Sequence, residues 1–229
     1  MALSKGKLYI VPTPIGNLGD ITVRALDVLK SVNVVLAEDT RQTKKLLDHY
    51  SIQNKLSPFH QHNEHKTVTH LVEQISEGQT FALCSDAGTP GISDPGYLLI
   101  RECLKNDIDV ITLPGATAAI VAIVNSGLPC DSFIYEGFLP HKKGKQTKIL
   151  SLLEQAKSTI FYESPHRLVK SLQMIVDLLG EERKVVVARE LTKKFEEFVR
   201  GSALEVLNHF KEHGVKGEIV LIVGGNETK

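Results

Sequence analysis

The chain has 229 residues, 42% of them hydrophobic, with 27 Lys and Arg balanced by 27 Asp and Glu. That is enough for one large domain or two small ones around a real core. A formal net charge of zero excludes a global positive field, so a nucleic-acid partner has to be met by a local patch. Cys84, Cys103 and Cys130 lie far apart, with no CxxC and no His/Cys ligand spacing. This argues against a disulfide framework or a structural zinc and for reduced thiols in a cytosolic protein. The N-terminal residues lead straight into a strand without a signal-peptide core. No apolar stretch is long enough to span a membrane.

Leu8 to Val11 reads as a buried strand, followed by a Gly/Pro-rich loop, Pro12 to Gly19. Asp20 then caps a helix with apolar positions at Ile21, Ala25, Val28, Leu29 and Val32. Val34 to Ala37 is the second strand and ends in Glu38-Asp39-Thr40-Arg41. A helix over Gln42 to His49 and a strand over Lys55 to Phe59 follow, then a polar segment, His60 to His65. A helix from Thr67 to Glu77 leads to the strand Thr80 to Cys84. Val110 to Leu113 is a further strand, broken at Pro114-Gly115 before a small-residue helix, Ala116 to Asn125. Gly127-Leu128-Pro129 marks a hinge. Beyond it lie strands at Phe133–Tyr135, Thr159–Tyr162, Val185–Ala188 and Glu218–Val223, and helices at Gln146–Ala156, Leu168–Leu179 and Leu204–His213. Phe195 to Arg200 alternates like one arm of an antiparallel hairpin. The alternation predicts an α/β protein of two α/β domains, residues 1–126 with a mostly parallel sheet and residues 127–229 with a mixed sheet, and a cleft between them.

The most heavily specified stretch is Leu83 to Gly96, which holds Gly88, Gly91 and Gly96 with Pro90 and Pro95. It reads as strand, shaped loop, helix over Tyr97 to Lys105. Glycine permits positive φ and close backbone approach to a ligand, and proline stiffens the turn. Ligands of open α/β sheets sit outside the carboxyl ends of the strands, where this loop lies. Its two carboxylates differ: Asp94 reads as the N-cap of the next helix with Pro95 at the first position, whereas Asp86 has no such role. No GxGxxG follows a strand, and neither a P-loop nor GxSxG occurs. His60, His62 and His65 have weak spacing for a metal, and none is expected.

Pro12–Asp20, Ala37–Arg41, His62–Glu64, Ser85–Gly96, Pro114-Gly115 and Phe161–Arg167 together resemble the ribosomal RNA small subunit methyltransferase I family, of the tetrapyrrole-methylase-like class III methyltransferases. The likeness runs in order over nearly the whole chain. It implies S-adenosylmethionine in the cleft between the domains, a homodimer, a cytoplasmic location, and 2′-O-methylation of a cytidine in the decoding region of 16S ribosomal RNA. Longer members carry a further small C-terminal domain, and this chain stops soon after Val223. For the cofactor, the resemblance and the loop chemistry point to Pro12, Ser85, Asp86, Ala87, Gly88, Thr89 and Pro90, and to Leu113, Pro114, Gly115 and Ala116. On the second domain they point to Phe161, Tyr162, Ala188, Arg189, Gly217, Glu218 and Ile219, with ordinary core packing the competing reading for Phe161, Ala188 and Ile219.

Methyl transfer to a ribose hydroxyl needs the oxygen in line behind the S–CH₃ bond and a base for its proton. Glu38, Asp39, Glu64 and Glu163 are the candidate bases. Arg41, Arg167 and Arg189 are candidates to neutralise RNA phosphate or to lower the pKa of the hydroxyl. The competing reading is local ion pairing, Glu38 with Arg41 or Arg189 with Glu190. Lys142, Lys143 and Lys145, beside His141 and Lys148, form the densest basic patch and the expected RNA contact; Arg189, Lys193, Lys194 and Arg200 form a second. The chemistry needs no metal. Rival readings are a tetrapyrrole C-methyltransferase and a non-catalytic cofactor-sensing module.

Overall fold

The structure is a computed structural model that describes residues 5–141 and 143–226, with Lys143 described in its backbone only. The chain divides into two compact units, one up to Thr117 and one from Ala118 onward. The boundary therefore falls before the small-residue helix rather than after it. That helix, Ala118–Val124, packs on strands of the second unit.

The first unit runs β1 (Lys7–Ile10), α1 (Val23–Ser31), β2 (Val34–Ala37), α2 (Thr40–His49), β3 (Leu56–Pro58), α3 (Glu64–Ser76), β4 (Phe81–Cys84), α4 (Tyr97–Lys105) and β5 (Asp109–Thr112). Its sheet has the order β3-β2-β4-β1-β5 and every pairing is parallel, as expected. A parallel strand covered on both faces reads as a continuous apolar run, and β2 and β4 are buried at every position. Alternate residues feed opposite layers. Leu8, Ile10, Leu36 and Leu83 pack with Val68, Leu71 and Ile75 of α3 and Leu99 of α4. Tyr9, Val11, Val35, Ala82 and Cys84 pack with Ala25, Val28 and Leu29 of α1 and Leu47 of α2. The helices after β1 and β4 thus cover opposite faces, although these two strands are neighbours. That is a topological switch point, where a crevice opens at the strand ends.

The helix starts differ from the sequence reading in instructive ways. Asp20 does not cap α1. It sits in a 3-10 turn, Leu18–Asp20, capped by Asn17, and the α1 cap is Thr22, whose hydroxyl accepts the Ala25 N–H at 3.0 Å. The segment His60 to His65 is not all loop, because α3 begins at Glu64; the Asn63 side chain folds back to accept the His60 N–H at 2.8 Å.

The second unit adds α5 (Ala118–Val124), β6 (Phe133–Phe138), α6 (Lys143–Leu150), β7 (Ser158–Glu163), α7 (Pro165–Leu179), β8 (Lys184–Arg189), β9 (Glu197–Ser202), α8 (Ala203–His213) and β10 (Ile219–Val223). The sheet order is β6-β7-β10-β8-β9; β6 and β7 are parallel and the other pairs antiparallel, so it is mixed as expected. Ser202 and Glu205 form a reciprocal capping box at α8. Cys84 and Cys103 are buried, Cys130 is exposed, and all three are free thiols. Among the described residues no helix is long and apolar enough to cross a membrane.

Candidate functional site

Three loops that the sequence singled out meet at the carboxyl edge of the parallel sheet. Thr13, after β1, and Gly88, after β4, exchange backbone hydrogen bonds at 2.9 and 3.0 Å. The Thr13 hydroxyl donates to the Ser85 carbonyl at 3.1 Å, and the Ser85 hydroxyl to the Gly88 carbonyl at 3.2 Å. The Thr89 hydroxyl reaches the Ala116 carbonyl at 3.1 Å and Thr117 Oγ1 at 2.8 Å. Gly115 lies so close to Pro12 that a Cβ would run into the proline ring. Gly88 takes φ +85°, which a side chain would strain. Pro12, Ser85 to Pro90 and Leu113 to Ala116 therefore form one braced rim. Leu113 itself is core, with its N–H bonded to Ile10.

Carboxylates crowd the same edge. The exposed Asp86 accepts the Asp39 N–H through Oδ1 at 2.9 Å. Burial, then the charge of Asp86, raises the Glu38 carboxyl above its ordinary value. Burial, then the charge of Glu38, pushes Asp94 up to about 6, although its hydrogen bond with the Ser85 side chain works the other way. Among the described residues no ion pair forms to Glu38, Asp86 or Asp94.

The other candidate bases hold structural posts. Asp39 caps α2 and pairs with Arg41 at 2.6 Å; the Arg41 hydrogen bonds take its carboxyl down to about 2. The local ion pair is thus Asp39–Arg41, not Glu38–Arg41. Glu64 is 8% exposed, and its Oε1 accepts the Gly96 and Leu98 N–H groups at 3.1 and 3.2 Å. It caps α4 from another helix. Asp94, read as that cap, is not it: the N-cap position is Gly96, with φ +143°.

Glu163 lies at the end of β7 in the second unit and is fully enclosed. One oxygen accepts from Lys145 Nζ at 2.9 Å and from the Ser171 hydroxyl at 2.6 Å; the other accepts from the Ser164 N–H and pairs with Arg167. Burial works against the charge, but the donors from Ser171, Lys145 and Ser164 outweigh it and the carboxyl falls below its usual range. Glu163 is not a free base, and Lys145, 5% exposed, is not an RNA contact. Lys142 lies outside the described residues, as does the Lys143 side chain. Arg167 also reaches the exposed His141 at 3.0 Å.

Elsewhere in the second unit, Phe161, Ala188 and Ile219 are buried, with Phe161 and Ile219 in the core cluster. Tyr162 packs edge-on to Tyr135 and Phe138. Arg189 pairs with Glu197 at 2.8 Å rather than with Glu190, and donates to the Lys216 carbonyl at 3.3 Å. Glu190 instead accepts from Lys193 and from the Glu218 N–H, and fills the space where a Gly217 side chain would go. Lys193 also pairs with Glu218, while Arg200 holds the Asn125 carbonyl at 2.6 Å. Two of the four cations of the second basic patch, Arg189 and Lys193, are thus paired with carboxylates. His60 and His62 meet edge-on. Among the described residues no His, Cys, Asp and Glu group is placed to hold a metal ion.

The sequence reading missed a cavity of about 280 Å³ beside the rim. Thr13, Pro14 and Leu18 line it from the first loop, Gln42, Thr43, Lys45 and Leu46 from α2, and Ser85 and Asp86 from the loop after β4. Helical spacing on α2 was the available signal, and it identifies a core face without revealing a void beside it.

A braced glycine-rich rim, with carboxylates that form no ion pair among the described residues, stands at the switch point of a parallel sheet, where α/β enzymes place their small-molecule sites. Residues 7–207 match the family Tetrapyrrole (Corrin/Porphyrin) Methylases, and the chain belongs to it. It is 52% identical over 221 residues to the ribosomal RNA small subunit methyltransferase I of Vibrio cholerae, covering 95% of this chain and 77% of that one. It is 51% identical to that of Escherichia coli O157:H7, covering 99% and 80%, and 44% identical to that of Thermotoga maritima, covering 97% and 100%. The sequence resemblance is thereby confirmed, and the chain is a methyltransferase. Among solved structures, uroporphyrin-III-C-methyltransferase from Thermus thermophilus shares the fold at TM-score 0.68 and 20% identity, covering 96% of this chain and 94% of that one. A diphthine synthase from Entamoeba histolytica does so at 0.69 and 17%, covering 98% and 94%.

The methyl donor of this family is S-adenosylmethionine, as expected. The rim fits such a group. Gly91, at φ +86°, has open space where a Cβ would project. The edge gathers Glu38, Asp86 and Asp94, which form no ion pair among the described residues, and a cluster of carboxylates suits a sulfonium.

Proposed function

We propose that this methyltransferase acts on the small-subunit ribosomal RNA, placing a methyl on the 2′-oxygen of a cytidine in the decoding region. The observation that carries the reading is the 44–52% identity, over at least 95% of the chain, to relatives named for small-subunit ribosomal RNA. Pro12, Ser85 to Pro90 and Pro114 to Ala116 would hold the cofactor through backbone groups, with Asp86 accepting from its polar hydrogens. Bound there, S-adenosylmethionine supplies an electrophilic methyl and leaves as a neutral thioether. Glu38 takes the hydroxyl proton. Of the four candidate bases it is the one with a raised carboxyl and no cation partner among the described residues. A base works best when its pKa lies near the working pH, and burial moves Glu38 in that direction. The homodimer belongs to the same proposal and is read by sedimentation.

The test is methyl transfer from labelled S-adenosylmethionine to small subunits and, separately, to free 16S RNA lacking the modification. Digestion to nucleosides should put the label on a cytidine ribose. Label on a base atom would overturn the 2′-O assignment. Transfer to a tetrapyrrole but not to RNA would overturn the substrate.

A further inference from the structure

The cavity beside the rim shares Ser85 and Asp86 with the proposed cofactor site, but its α2 wall, Gln42, Thr43, Lys45 and Leu46, has no role in holding the cofactor as described above. It opens between the loop after β1, the first turns of α2 and the loop after β4. Its walls are chemically sorted. Pro14, Leu18 and Leu46 give apolar faces on which a flat ring can lie. Gln42, Lys45 and Asp86 supply an amide, a cation and a carboxylate. Lys45 Nζ now donates to Gln42 Oε1 at 3.2 Å on an exposed stretch of helix, so both groups are free to exchange that bond for a ligand.

A third observation concerns Thr43, which is 3% exposed and whose hydroxyl has no hydrogen-bond partner among the described residues. Buried polar groups in folded proteins are almost always paired, so an orphan beside a cavity wants a reason. A ligand that completes it is such a reason.

Size narrows the choice. Pockets for whole small molecules run from about 300 to 1,000 Å³, so 280 Å³ suits a single ring system. RNA readers splay single bases out of the strand, stack them and bond their edges, and enzymes that modify nucleotides use the same extrusion. Asp86 belongs both to the cavity wall and to the carboxylate group with Glu38 and Asp94. We propose that this cavity is the subsite for the base of the target nucleotide, a single extruded pyrimidine. The ring lies on Pro14, Leu18 and Leu46. Gln42 and the Thr43 hydroxyl meet the polar edge of the ring, and Lys45 holds the adjoining phosphate, while Asp86 stays with the cofactor. The ribose then faces Glu38. This rests on the RNA reading above.

The experiment uses the full chain with Gln42→Ala/Lys45→Ala and, separately, Thr43→Val. Methyl-transfer kinetics on small subunits are compared with S-adenosylmethionine affinity by calorimetry. The double variant should raise KM for the RNA about tenfold or more, the loss of about 1.4 kcal/mol of binding, and leave cofactor affinity unchanged. Thr43→Val should bind RNA more weakly yet unfold no more easily, because it removes an unpaired hydroxyl. Unchanged KM in both variants, or an equal loss of cofactor affinity, overturns the subsite. If the wild type methylates no RNA, the functional reading has failed instead, and cytidine 5′-monophosphate alone decides the cavity. Saturable shifts of the Leu18 and Leu46 methyl signals, lost in the double variant, support it; no saturable binding overturns it.

Discussion

The two units treat a buried carboxylate in opposite ways. In the second, Glu163 is enclosed and met by Lys145, Arg167, Ser171 and a backbone N–H, and its carboxyl is held below the usual range. In the first, Glu38 and Asp94 are half-buried beside Asp86 without a cation partner among the described residues, and both are raised. Taking charge out of water is costly unless it is paired. A carboxylate whose cost is offset by partners is holding structure together. Carboxylates left raised at the mouth of a sheet are positioned for a proton or a cation to arrive, and perturbed groups of this kind cluster at working sites.

The largest expected effect comes from breaking the paired carboxylate. Lys145→Met should destabilise the chain by about 3–5 kcal/mol in urea unfolding, because it strands part of a buried charge. Adding Glu163→Gln should restore much of the loss. A cost below about 1 kcal/mol would mean that the pair behaves like a surface bridge, and the contrast between the units would collapse.

The unpaired carboxylate predicts an effect on rate instead. Glu38→Gln should lower the methyl-transfer rate about 100-fold while cofactor affinity and unfolding midpoint hold, the typical contribution of one proton acceptor. Asp39→Asn, at a residue tied to Arg41, should change the rate far less. If the two variants lose activity equally, Glu38 is not distinguished by its environment.

Glu64 sits between the two cases, buried and, among the described residues, met by the N–H groups at the start of α4. Glu64→Ala should cost about 1–2 kcal/mol, as the loss of a helix cap does, and Glu64→Gln, which keeps an acceptor, should cost less. An activity loss in Glu64→Gln at unchanged stability would return it to the list of bases.

Much of this frame was legible in the sequence, because parallel strands covered on both faces are short apolar runs and the loops at their carboxyl ends are written in glycine and proline. The rim residues Pro12, Ser85 to Pro90 and Pro114 to Ala116 were found that way. The side-chain partnerships were not. Ser-Asp-Pro-Gly before a helix reads locally as an Asp N-cap, yet the acceptor for Gly96 comes from Glu64, which is 32 residues away in sequence. His-Lys-Lys-Gly-Lys reads as an exposed cationic loop, yet a helix begins within it and turns Lys145 inward to Glu163. Both depend on which elements pack together, and no local pattern encodes that.

The smallest effect tests the sign of the contrast. The Asp94 carboxyl titrates at about 6 in the folded chain against an ordinary 3.8. Between those values the folded state holds a proton that the unfolded state has released, so stability falls as pH rises through that window. Asp94→Asn removes the penalty. It should gain on the wild type between about pH 4 and 6 and then stay level, by under about 1 kcal/mol because the group is partly solvated. Glu163 has the opposite sign, since its lowered carboxyl contributes stability above the ordinary carboxylate range and loses it as pH falls through the folded value. Unfolding midpoints of wild type and Asp94→Asn, measured from pH 4 to 8, separate the two contributions. A difference that does not vary with pH would mean that Asp94 is ordinarily solvated, and the edge of the parallel sheet would lose its uncompensated charge.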